Sequence, residues 1–120
     1  MRELKFRAWH KGFKDGKINI EPVMLLESYS GEAFNWKHQR QQIEIMQFTG
    51  LLDKNGKEIY EGDVVRVQGL ARKGIYTTNV IFKAPQFKLA VNETKWNDWA
   101  SFTGVEVIGN IYENPELVKL

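Results

Sequence analysis

The chain contains no cysteine. That absence excludes disulfides, thiolate nucleophiles, cysteine-ligated zinc and iron–sulfur clusters together, and it fits a reducing compartment. Proline is scarce: Pro22, Pro85 and Pro115 are the three present, and no proline-rich linker divides the sequence. No apolar run approaches the roughly 18–20 residues that a membrane-spanning helix needs. Neither sign of charge is in marked excess, with 17 Lys and Arg against 15 Asp and Glu for a net charge of +2. Residues 1–60 hold ten basic and eight acidic groups, and residues 61–120 hold seven of each. So small an excess does not establish the basic face typical of chains that live on phosphate contacts. The opening Met1-Arg2-Glu3-Leu4-Lys5-Phe6-Arg7 interleaves charged and apolar residues without a secretory apolar core, so a cytoplasmic setting is expected.

Reactive constellations are missing as well. There is no G-x-S-x-G, no glycine-lysine phosphate loop and no G-x-G-x-x-G. The three serines, Ser28, Ser30 and Ser101, have no base nearby in sequence. His10 and His38 lie in loop-like contexts and form no metal or triad spacing, so ordinary surface imidazoles are the simpler reading. Asp53, Glu58, Glu61 and Asp63 crowd the middle of the chain and are the carboxylates to weigh for a divalent ion. Asp53-Lys54-Asn55-Gly56 departs from a calcium loop, because its glycine comes two positions early and a lysine interrupts the ligand series. Two turns explain the same residues more simply, one at Asn55-Gly56 and one at Gly62-Asp63. No catalytic residue, cofactor or metal ligand is therefore assigned, and an enzyme is not expected.

What the sequence does have is alternation with period two, the mark of half-buried strands. At 120 residues it is one domain's worth of chain, enough to bury one ordinary core. Leu4-Lys5-Phe6-Arg7-Ala8-Trp9 reads as a strand with Leu4, Phe6 and Ala8 inward and Lys5 and Arg7 in water. A turn at Lys14-Asp15-Gly16 then leads to a return over 16–21, with an extended continuation after Pro22. Residues 28–42 are polar and fit a surface loop or one short helix equally well. Strand signals resume at Ile43–Phe48, with a break expected at Thr49-Gly50. They continue through 59–67 around the Gly62-Asp63 turn, through Ile75–Lys83 up to Pro85, and over Gln86–Val91. Trp96-Asn97-Asp98-Trp99 reads as a turn or a single helical turn. Val105–Ile108 is the last strand, and Asn114-Pro115 predicts an N-cap and the first position of a short closing helix. Many short strands without regular helix alternation point to a mainly β small barrel or sandwich.

Three blocks carry a more specific resemblance. Met1–Trp9, Gln47–Val65 and Glu106–Leu117, at the start, middle and end of the chain, together resemble the YopX family of bacteriophage and prophage proteins. The resemblance implies a predominantly β protein whose C-terminal part, residues 47–120, is a small SH3-type barrel. Residues 1–46 would then be an N-terminal β extension with a polar loop or short helix, all within one YopX-like domain spanning 1–120. It also implies self-association, and it supplies no activity and no catalytic residues to carry over. The Gly62-Asp63-x-Val65 pattern recurs in SH3-like barrels that bind RNA or ribosomes; it is a device for entering a strand after a turn and bears on fold only.

Aromatics keep a second reading open. Trp96 and Trp99 lie in loop-like sequence, and Arg72-Lys73 tips a glycine-bracketed loop. Base stacking on aromatics beside cations contributes roughly 1–3 kcal/mol per base, so Arg72, Lys73, Trp96 and Trp99 are the candidate nucleic-acid contacts. Aromatics in a small β domain more often plug barrel ends or subunit interfaces. The expected function is thus a non-enzymatic binding or assembly protein of a phage or prophage, partnered with itself or with a phage or host protein and not with a membrane. A nucleic-acid-binding barrel is the alternative, and a small metal-dependent hydrolase is the more distant one.

Overall fold

The computed structural model describes residues 5–15, 18–25, 43–71, 73–84, 86–90, 96–97 and 99–118. The fold is mainly β and antiparallel, in two compact units, Met1–Phe48 and Thr49–Leu120.

In the first unit, β1 (Phe6–His10) lies between β4 (Val23–Leu25) and the first half of β5 (Ile43–Leu52), antiparallel to both; the rest of β5, from Thr49, belongs to the second unit. Ala8 is opposite Leu25 on one side and Ile45 on the other. Its small side chain, with Ile43, forms a buried cluster against which Leu25 and Ile45 pack. The expected inward phase therefore holds at Ala8, whereas Arg7 is half-buried and not in open water. His10 continues the same phase and is buried, and its Nδ1 accepts the N–H of Gly12 at 2.9 Å. Lys5 lies over the ring of Phe48 at 5.7 Å, within cation–π range.

The expected hairpin is relocated. β2 (Phe13–Asp15) pairs with β3 (Ile18–Ile20) and closes at Asp15 opposite Ile18. Lys14 and Asp15 are therefore strand residues, and the connection over 16–17 lies outside the described residues. β1 takes β4, not the 16–21 return, as its hairpin-side partner. Thr49-Gly50 does not end β5 either. The strand runs on to Leu52 with Gly50 at φ 87° inside it. The reading of 28–42 as loop or helix falls outside the described residues.

The second unit is built on a five-stranded antiparallel sheet in the order β10-β9-β8-β7-β11. Its strands are β7 (Asp63–Gly69), β8 (Ile75–Lys83), β9 (Gln86–Ala90), β10 (Trp96–Asn97) and β11 (Phe102–Asn110). β6 (Glu58–Tyr60) pairs with the end of β5. Alternation selects the core: Val65, Val67, Val80, Phe87 and Leu89 join Ile59 in one buried cluster, with Trp99, Phe102, Val105 and Val107 packed against it. Each fully buried aliphatic side chain there contributes about 1.5–3 kcal/mol. Val64 departs from the strict alternation and is fully buried too.

Two short elements differ from expectation. Trp96 belongs to β10 and pairs with Ala90, so the helical turn starts later, as a 3₁₀ turn over Trp99–Ser101. The closing helix is a 3₁₀ turn, Pro115–Val118. Proline does occupy its first position, but the Asn114 side chain reaches backward to the Asn110 N–H at 3.2 Å. The first intra-turn bond runs from the Leu117 N–H to the Asn114 carbonyl at 3.1 Å.

Candidate functional site

The carboxylates of Asp53 and Asp63 in the central block bind backbone N–H groups. Asp53 is only 7% exposed. Its Oδ1 accepts the N–H groups of Asn55 at 2.8 Å and Lys57 at 2.9 Å, and its Oδ2 accepts the N–H of Val107 at 2.9 Å. The Asp53 N–H is donated to the Lys57 carbonyl at 2.8 Å, and the Gly56 N–H to the Asp53 carbonyl at 3.0 Å. Gly56 sits at φ 81°, as a tight Asn-Gly turn requires. Burial by itself pushes the Asp53 carboxyl up. The bonds from Val107, Lys57 and Asn55, with the positive charge of Lys57, outweigh that effect and hold it below the usual carboxylate value.

This turn clamps the last strand. The Lys54 N–H bonds the Val105 carbonyl at 2.9 Å, beside the Val107-to-Asp53 bond. β11 is irregular here, with register shifts against β7 between Thr103 and Glu106 and between Val107 and Gly109. β11 is also the edge strand of its sheet, and the turn takes up the Val105 carbonyl and the Val107 N–H. Glu106 adds a surface triad, 3.2 Å from Lys54 Nζ and 3.6 Å from Arg66 Nη1.

The second turn works the same way. Gly62, at φ 88°, donates its N–H to the Val80 carbonyl and accepts the Ile111 N–H, both at 2.9 Å. Asp63 is 1% exposed, and its Oδ2 accepts the Tyr60 N–H at 2.8 Å. Beyond β11, the Asn110 Oδ1 accepts the N–H groups of Tyr112 at 3.1 Å and Glu113 at 2.8 Å, while its amide donates to Glu113 Oε1 at 2.9 Å. The carboxylates weighed for a divalent ion thus include two, Asp53 and Asp63, that bind peptide N–H groups. Among the described residues no three His, Asp or Glu side chains converge where an ion would be held.

The four candidate nucleic-acid contacts are placed unevenly. Lys73 is exposed. Trp99 is half-buried against the core and donates its indole N–H to the Phe87 carbonyl at 2.9 Å. Trp96 is fixed by its β10 backbone pairing, and Arg72 lies outside the described residues. Two roles went unread in the sequence. Asp53 is the organiser of its turn, a role its spacing to the Asn-Gly pair signals through the Asx-turn pattern. Gly109 permits the close approach of Asn114 and Leu117, and no local signal marks it.

Apolar side chains form the other notable surface. In the Thr49–Leu120 unit, Leu51, Leu52, Leu70, Ile75, Tyr76 and Phe82 are exposed, Ile75 by 73%. Tyr76 meets the Phe102 ring edge-on at 6.3 Å, and Phe82 meets Phe87 tilted at 5.2 Å. Aromatic residues thus extend the core side of β8 outward at both of its ends. Among the described residues, no helix is long and apolar enough to cross a membrane.

The described residues are mainly β, in antiparallel sheets, with the turn acids Asp53 and Asp63 bound to backbone N–H groups. The family of YopX proteins matches residues 5–119, and the chain belongs to that family. Among solved structures, it is similar to protein EF1440 from Enterococcus faecalis. The two share 24% identity and a TM-score of 0.59 over 99% of this chain and 100% of the other, a likeness of fold. No curated protein matches the chain.

Proposed function

We propose that this chain is a phage- or prophage-encoded binding protein without enzymatic chemistry, acting in the host cytoplasm and self-associating through its Thr49–Leu120 unit. On this reading the five-stranded sheet is an SH3-type small barrel whose surface, and not an interior site, does the work. The observation that carries the proposal is the set of six exposed large apolar side chains in that unit. Large apolar side chains held in solvent are the kind of group an interface covers, and on this reading a second copy of the chain covers them. The polar motif residues support the same reading, because Asp53, Gly62 and Asp63 are occupied in building turns.

Size-exclusion chromatography with light scattering tests self-association, and a mass that is a multiple of 14.0 kDa is expected. Affinity capture from prophage-induced cells, with and without nuclease, tests the partner. Recovery of the same protein bands after nuclease supports the proposal. Loss of all partners on nuclease or added salt points to the nucleic-acid alternative.

A further inference from the structure

The turn that clamps β11 contains Asn55-Gly56, the dipeptide in which a backbone nitrogen is least hindered in attacking the preceding side-chain amide. Both residues are exposed, and a Cβ placed on Gly56 would meet nothing within 4 Å. Water therefore reaches the pair. Attack requires the Gly56 nitrogen to lose its proton and swing onto Asn55 Cγ. In the folded turn that N–H is donated to the Asp53 carbonyl at 3.0 Å. The N–H groups of Asn55 and Lys57, on either side, are both held by Asp53 Oδ1. The peptide units flanking the reacting pair are thus fixed by one buried carboxylate.

We propose that Asn55 is a latent deamidation site, kept unreactive by the hydrogen bonds of the Asp53 main-chain carbonyl and carboxylate together, and that its conversion loosens the turn from β11. The Gly56 nitrogen gives its proton to hydroxide and bonds to Asn55 Cγ. The Cγ–Nδ2 bond breaks, and ammonia leaves with a proton taken from water. Water then opens the succinimide at either carbonyl, giving aspartate or isoaspartate at position 55 with no change of oxidation state. Either product adds a negative charge beside the Asp53 carboxylate, and isoaspartate also lengthens the backbone between the cage donors. Both changes weaken the Lys54-to-Val105 and Val107-to-Asp53 bonds that hold the strand.

The full chain, incubated at mildly alkaline pH with and without guanidinium chloride, is followed by ion exchange and by mass mapping of a peptide spanning Asn55. An acidic species mapping to Asn55 is expected in both. Its formation should be at least about ten-fold slower in the folded chain, as for chemistry that requires local opening. Asp53→Ala, which removes the acceptor of both flanking N–H groups, should bring the folded rate toward the denatured one, Asn55→Gln should abolish the species, and the converted protein should melt at lower temperature. Equal rates with and without denaturant, an acidic species that survives Asn55→Gln, or an unchanged melting temperature after conversion would each overturn the proposal. The comparison with denaturant needs no variant and tests the protection of Asn55 by the fold even where Asp53→Ala fails to fold; a folded Asp53→Ala chain that deamidates as slowly as the native one would overturn the role given to Asp53.

Discussion

A Cβ built on Gly109 would lie 2.5 Å from Asn114 Oδ1 and 3.0 Å from Leu117 Cδ1, inside the distances that side chains tolerate. Asn114 is not free to withdraw, because that same oxygen accepts the Asn110 N–H and the following turn starts from it. Gly109→Ala is therefore expected to destabilise the chain by about 1–3 kcal/mol, read as a lowered midpoint in urea. Asp53 makes the other residue-scale prediction. Its folded carboxyl titrates below the unfolded one, so the stabilisation it supplies is complete above the unfolded value of about 3.9. That stabilisation disappears as pH falls through the lower, folded value. Denaturant midpoints measured from pH 6 downward should fall for the native chain in this acid range, and less steeply for Asp53→Asn. Parallel slopes for the two proteins would show that Asp53 is not the group responsible. In the sequence Asp53 is one of four crowded acids; of its three N–H partners two are local, and the third, Val107, is 54 residues away. Local pattern names the turn but not the strand it grips.

Elements dominated by alternation were the legible ones. Ile75–Lys83 is read from its β-branched and aromatic run alone, and the strand has those bounds. Elements whose limits depend on distant partners were not. β5 passes Thr49-Gly50 because Thr49 Oγ1 accepts the Leu51 N–H and donates to the Ile59 carbonyl, which keeps the backbone paired past the glycine. Likewise Trp96 becomes a strand residue only because Ala90 is there to pair with it. β11 is longer than the Val105–Ile108 core of its sequence signal, and its edge is completed by the Asp53 turn. Hydrogen exchange tests that clamp. The amides of Lys54 and Val107 should exchange slowly and at similar rates, and Asp53→Ala should speed both together while leaving the β7–β8 amides protected. Independent rates for the two amides would mean that turn and strand open separately.

For the molecule as a whole, the blocks at start, middle and end made the family legible, and the family match covers almost the entire chain. The mainly β class was equally legible, since period-two burial recurs in β7, β8 and β9. Surface function was less so, because alternation separates the two faces of a strand without telling what meets the outward one. Ile75 and Val80, five positions apart on one strand and so on opposite faces, are 73% and 1% exposed. A protein that acts by association has to use such outward side chains. Sedimentation equilibrium of the purified chain across a wide concentration range, alongside Ile75→Lys, puts this directly to measurement. The native chain should sediment as a multiple of 14.0 kDa, and the variant should shift toward the single-chain mass with an unchanged β-type circular dichroism spectrum. A native chain that sediments at 14.0 kDa at every concentration would contradict the account.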